Sequence, residues 1–202
     1  MRSGINEIAS SCVNGVKNAW KSYYESTGGS WLWAAPEYFI TVNIFNELSR
    51  LNLLVELESN VRNCVHNASI QYPGRYPSSL NLNGRFDVVV YWKSGLLRGI
   101  LEIKMMRGNS LSGIKSDLQE ISSFLKLASN KNSRMQFGGI VVYTDFYEEN
   151  GKAERVIERR LNNVFTLGRE VLKGYKIIKQ RKIKNIIEEK SAWGTIVCIF
   201  KT

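Results

Sequence analysis

A chain of 202 residues and 23.0 kDa is long enough for one well-buried core and short for two. Its 44% hydrophobic and 23% charged residues exclude a dominantly disordered chain, and no apolar run approaches the ~20 residues of a membrane span. The 28 Lys and Arg against 18 Asp and Glu give a formal charge of +10, an excess that gathers polyanions, of which nucleic acid is the commonest.

The N-terminal stretch through Glu7 carries a carboxylate and no apolar run, which is not the pattern of a secretory signal. Cys12, Cys64 and Cys198 are odd in number and far apart, so reduced thiols and a cytoplasmic setting are expected, without a disulfide framework or a thiolate zinc site. Ile5, Ile8, Cys12, Val16, Ala19, Trp20 and Tyr23 recur at three- and four-residue steps and predict an amphipathic helix over 4–24. The Ser- and Gly-rich residues 26–30 then form a linker. A second helix is predicted from Pro36, which suits the first helical position because its missing N–H has no partner there. Glu37 falls in its first turn.

Residues 53–58 read as a short strand, 60–68 as a helical turn or two, and 69–83 as a loop centred on Pro73 to Pro77. Residues 86–92 and 96–105 are strong strands, joined by Lys93-Ser94-Gly95 as a β-hairpin. Both are apolar on adjacent as well as alternate positions, which places them inside a sheet covered on both faces. A helix over 112–129, a strand over 137–143, a charged helix over 152–170 and strands over 175–183 and 193–200 complete the chain. The reading is one α/β domain over 1–202: an N-terminal helix and linker (1–30), a core (36–145), and a C-terminal helix with basic strands (150–202).

Asp87 lies inside the most apolar run of the chain, and Glu102-Ile103-Lys104 in the next strand. Carboxylates in buried strands are costly unless paired. Alternation puts Glu102 and Lys104 on one face, and the hairpin brings Asp87 to the same end. Two converging carboxylates suit Mg²⁺ or Mn²⁺, with Lys104 holding an attacking water and stabilising charge on phosphoryl oxygens. The competing account is a buried Lys104–Glu102 ion pair. A second Glu-x-Lys, Glu188-Glu189-Lys190, sits in a charged stretch and reads as solvated surface.

Asp87 followed by Glu102-Ile103-Lys104, a helix and another apolar strand resembles the PD-(D/E)XK nuclease superfamily, over roughly residues 36–145. The resemblance implies a restriction-endonuclease-like mixed β-sheet flanked by helices, here with an extra N-terminal helix. It implies a Mg²⁺-dependent DNA endonuclease of restriction, phage-defence or mobile-element type, acting on double-stranded DNA as a homodimer, with no membrane partner. Asp87 and Glu102 would be metal ligands. Glu37 matches the superfamily's acid from the preceding helix, and Glu58 competes for that place. Phe86 stands where the superfamily has its leading Pro. The recombination-nuclease Gln-x-x-x-Tyr pattern is absent, since Gln119 is followed by Ser123, which argues against the exonuclease branch. The alternative is an inactive nuclease-fold module that binds nucleic acid or a protein partner.

Arg75, in the aromatic loop Gln71 to Pro77, is a candidate phosphate contact. Lys173, Lys176, Lys179, Arg181, Lys182 and Lys184 make the densest basic cluster, the last five read either as a nucleic-acid surface or as an edge strand kept from aggregating by lysines. His66, the only histidine, reads as a surface residue; Cys12 and Cys198 read as core, and Trp31 and Trp33 as packing residues.

Overall fold

The computed structural model describes residues 3–129, 133–147, 152–187 and 190–202. The elements are α1 (Ile5–Ser26), a one-turn 3₁₀ helix (Leu32–Ala34), α2 (Glu37–Ser49), β1 (Leu54–Asn60), α3 (Val61–Asn67), β2 (Arg85–Tyr91), β3 (Leu97–Met106), α4 (Ser112–Ala128), β4 (Phe137–Tyr147), α5 (Ala153–Val171), β5 (Lys176–Ile187) and β6 (Ser191–Lys201). The strands form one six-stranded sheet in the order β1-β2-β3-β4-β6-β5. Only β3 and β4 run parallel, joined by α4 as a crossover; the other neighbours are antiparallel.

The central strands are apolar on both sides because both sides are covered. Leu101, Ile103, Val141 and Tyr143 pack with α1 and α2 on one face. Ile100, Ile140 and Val142 pack with α3, α4 and α5 on the other. The hairpin between β2 and β3 closes as expected: Trp92 N–H donates to Leu96 O and Gly95 N–H to Trp92 O, both at 2.9 Å, with Gly95 at φ +80°. Helix α1 starts at a Glu7 carboxylate that accepts the Gly4 N–H at 2.6 Å, and buries Ile8, Cys12, Val16, Ala19 and Trp20.

Five expectations are corrected. Pro36 is the residue that caps α2 in an extended conformation (ψ 144°), one place before the helix begins. β4 continues to Tyr147, and β5 to Ile187, because the β4–β6 and β5–β6 ladders run on under polar residues such as Thr144 and Asp145. β6 begins at Ser191, opposite Tyr147. Trp33 is 51% exposed, so it is not a packing residue; Leu32 is the side chain its turn buries.

All three cysteines are buried and unpaired, and burial pushes the Cys12 and Cys198 thiols up to about 12 and Cys64 to about 11. At those values a thiolate nucleophile is out of reach near neutral pH. His66 is exposed. Among the described residues, no helix is long and apolar enough to cross a membrane.

Helices α1 and α2 meet at Gly15, where an added Cβ would lie 2.6 Å from Ile44 Cα. Gly15→Ala is therefore expected to destabilise the protein by about 1–3 kcal/mol despite alanine's better helix propensity. Gly113→Ala, with nothing within 4 Å, should be neutral or mildly stabilising. Urea unfolding of the two variants checks the contrast, and equal midpoints would contradict it.

Candidate active site

The β2–β3 ladder ends at the pair Val88 and Leu101. One step further, Asp87 and Glu102 face each other, and Asp87 Oδ2 accepts the Ile103 N–H at 2.7 Å. A side chain thus takes the place of the next backbone partner where the two strands part. Glu102 points into the face covered by α4 and is 6% exposed, whereas Asp87 is half-buried. Lys104, two residues on, shares that face. Its Nζ lies 3.4 Å from Asp117 Oδ2 of α4 and 3.6 Å from Glu37 Oε1 of α2. The other Glu37 oxygen accepts the Met105 N–H at 2.5 Å. Lys104 therefore joins helices from the two sides of the sheet at the carboxyl end of β3.

The electrostatics follow from this geometry. Burial first, then the charges of Asp87 and Asp117 and a side-chain hydrogen bond to Asp87, raise the Glu102 carboxyl well above the ordinary carboxylate range. Burial alone would lower the Lys104 ammonium, but Asp117, Glu37, Asp87 and Glu102 outweigh it and raise the pKa. Lys104 is therefore protonated. Asp117 is also raised, by burial, against the pull of Lys104.

Asp117 was not among the sequence candidates, although a signal exists: it lies three residues after Ile114 and next to Leu118, at the margin of the stripe that α4 buries. A second polar group at the same end of the sheet was also missed. Arg160, 5% exposed, donates to Thr144 Oγ1 (3.2 Å), Asp145 O (2.8 Å) and Asn109 Oδ1 (3.2 Å). The Asp145 carboxylate accepts the Tyr143 O–H at 2.9 Å and the Trp33 N–H. Arg160 sits three residues after Ile157, on the inward face of α5, which is where its burial was legible.

The remaining candidates are more dispersed. Glu58 is level with Asp87, between the pairs Leu57–Val88 and Ser59–Phe86, and takes φ +54°. Among the described residues, no three acid, His or Cys side chains are gathered as a metal-binding group, so Asp87, Glu102 and Glu37, or Glu58 in its place, do not form a three-carboxylate set. Arg75 is exposed in the loop before β2. On edge strand β5 the cations divide between the two faces. Lys179 lies over the Phe165 ring of α5 at 4.1 Å, and Arg181 pairs with Glu158 of α5 at 3.3 Å. Lys184 lies over Trp20 of α1 at 4.6 Å, and alternation puts Lys176 and Lys182 on that side. Glu188 and Glu189 lie outside the described residues. A cavity of about 720 Å³, lined by Trp92, Lys93, Arg98 and Arg134 among others, is at the opposite end of the sheet and includes none of the acid cluster.

Asp87 and Glu102 fit a hydrated divalent cation. Four carboxylates, Glu37, Asp87, Glu102 and Asp117, surround the single ammonium of Lys104, so the acid pair is short of positive charge. Mg²⁺ commonly takes one or two carboxylates and keeps several waters, so a two-acid donor set suffices. A fully protein-caged ion is not what these residues offer.

In metal-free protein, the raised Glu102 pKa means that the folded state keeps a proton the unfolded chain has lost. Stability then falls as pH rises from the ordinary carboxylate range through the raised value. Glu102→Gln is expected to be more stable than wild type near neutral pH and level with it below about pH 4. Urea unfolding across pH measures the difference, and a pH-independent difference would contradict the assignment.

Comparison of the chain with protein-family models, with curated proteins and with solved structures found no match in any of the three.

Proposed function

We propose that the chain is a divalent-metal-dependent nuclease on a restriction-endonuclease-like fold, hydrolysing DNA phosphodiester bonds. The observation that carries this reading is the grouping of Asp87, Glu102 and Lys104 at the parting ends of β2 and β3. The net charge of +10 supports a polyanionic substrate. The middle of β5 adds to it: Lys104 is level with Val142, Ile196 and Arg181, so a cationic residue sits roughly 14 Å across the sheet from the site.

Asp87 and Glu102 would hold Mg²⁺ or Mn²⁺. Such an ion, when bound, supplies a water of lowered pKa and polarises a phosphoryl oxygen. Lys104 is held protonated by its four carboxylates, so it acts as a charge stabiliser and hydrogen-bond donor, not as a base. Its ammonium donates to a non-bridging phosphoryl oxygen as negative charge builds there. Glu37 and Asp117 restrain Nζ from two helices, and Glu37 also fixes the backbone of Met105. Glu37 thus serves as a positioning residue. Attack of the water oxygen on phosphorus, with one water proton lost to solvent, would break the bond to the leaving sugar oxygen, which takes up a proton from solvent as it departs.

The second reading, an inactive nuclease-fold module, is favoured by the burial of Glu102 and by the engagement of both Glu37 oxygens. A cleavage assay separates the two. With plasmid, linear duplex, single-stranded DNA and RNA, wild type is expected to cut DNA in Mg²⁺ or Mn²⁺ and to be silent in chelator. Asp87→Asn and Lys104→Ala should each lose on the order of 10²–10³-fold in rate or more while keeping the far-UV spectrum of the fold. Activity that survives either change would place the chemistry elsewhere.

A further inference from the structure

Six large apolar or aromatic side chains are exposed among the described residues: Trp33, Tyr38, Leu54, Tyr72, Leu96 and Tyr147. Their distribution is uneven. Leu54 and Leu96 are aliphatic and lie at the pole away from the acid cluster, on β1 and at the β2–β3 turn. Trp33, Tyr38 and Tyr147, at 51%, 48% and 61% exposure, are aromatic and stand at the acid cluster's own pole.

The backbones beneath these rings are tied to the site. Trp33 donates its N–H to the Asp145 carboxylate, and its carbonyl accepts from Arg107 Nη2 at 3.1 Å, so its turn is fastened to the ends of both β3 and β4. Tyr38 follows Glu37, whose carboxylate holds Met105 N–H and Lys104. Tyr147 is the last residue of β4. Leu32 and Ala35 are buried on either side of Trp33, so the local chain is anchored while about half of Trp33 is left exposed. Leaving such a ring exposed forgoes a large burial gain. Pinned backbone beneath half-exposed aromatic side chains suits a stacking platform. In a chain of charge +10, with the exposed cation Arg107 beside Trp33, the complementary occupant is a nucleic acid.

Bases inside a duplex are stacked on one another and cannot lie on protein rings, whereas unpaired bases can. Resting on the nuclease reading above, we propose that the site takes DNA whose bases are unpaired next to the scissile phosphate, with Trp33 and Tyr38 as the residues on which those bases stack. The double-stranded substrate implied by the sequence resemblance is thereby narrowed to a strand end, flap or single-stranded segment.

The test is binding without metal, so that it does not depend on hydrolysis. Fluorescence anisotropy would compare fluorescein-labelled oligo(dT) with a blunt duplex of the same length, in chelator. Wild type is expected to hold the single strand about tenfold more tightly, and Trp33→Ala and Tyr38→Ala should each weaken single-strand binding roughly tenfold while moving duplex binding less than about twofold. Both side chains are exposed, so the variants should keep the wild-type melting temperature. Tighter binding of duplex, or equal losses on both probes, would overturn the proposal. Absence of binding to either probe would also overturn it and give the rim to a protein partner. A protein that never cuts but keeps the single-strand preference would sink the nuclease reading alone. One that cuts and shows no preference would sink this inference alone.

Discussion

One ammonium among four carboxylates organises one end of the sheet. Lys104 stands where β2 and β3 part, and its nearest partners come from α2 on one face of the sheet and α4 on the other. A lysine with so many acidic neighbours is pinned in place and in charge. The acids are not satisfied in return: a single positive charge cannot neutralise Glu37, Asp87, Glu102 and Asp117 together, and the deficit falls on the most buried of them, Glu102. An excess of negative charge within one half-buried cluster is a costly arrangement for stability alone. The divalent cation of the proposed function would resolve it.

The fold supplies the position. The single parallel pair, β3 and β4, requires a crossover, and α4 is that crossover. It returns over the face that carries Glu102 and Lys104, which brings Asp117 to the cluster. In open α/β sheets, ligands gather beyond the carboxyl ends of parallel strands. Here the same end also holds the Arg160–Asp145–Tyr143 network and the aromatic residues anchored to it. The buried Arg160 does for β4 what Lys104 does for β3, fixing a polar strand end in a geometry that bulk apolar packing would not specify.

Most of the architecture was legible because periodicity is a backbone property. Alternating and continuous apolar runs placed β2, β3 and β4, and the three- and four-residue spacing placed α1 and α4. What failed were boundaries set by pairing partners: Thr144 and Asp145 look like the end of a strand, yet the ladder to β6 carries the chain on to Tyr147. Asp87, Glu102 and Lys104 stood out since ionic groups inside apolar strands demand a reason. Asp117 did not, because a carboxylate at the edge of an amphipathic helix is ordinary until the partner across the interface is known. Trp33 could not be told from a core residue by composition, since only the seating of Leu32 decides which side chain of that short turn faces water. The cations of β5 are a cluster along the chain, and two-residue alternation sends Lys179 and Arg181 toward α5 but Lys176, Lys182 and Lys184 toward α1. Charge density in sequence is not charge density on a face.

The central claim, that Asp87 and Glu102 are an acid pair awaiting a divalent cation, is tested most directly by thermal unfolding with and without Mg²⁺. A ligand bound only by the folded state raises stability by about 2.7 kcal/mol at a hundred times its dissociation constant. Saturating Mg²⁺ is therefore expected to raise the melting temperature of the wild-type protein, and the rise should disappear in Asp87→Asn. An unmoved wild type, or an equal rise in both proteins, would contradict the account.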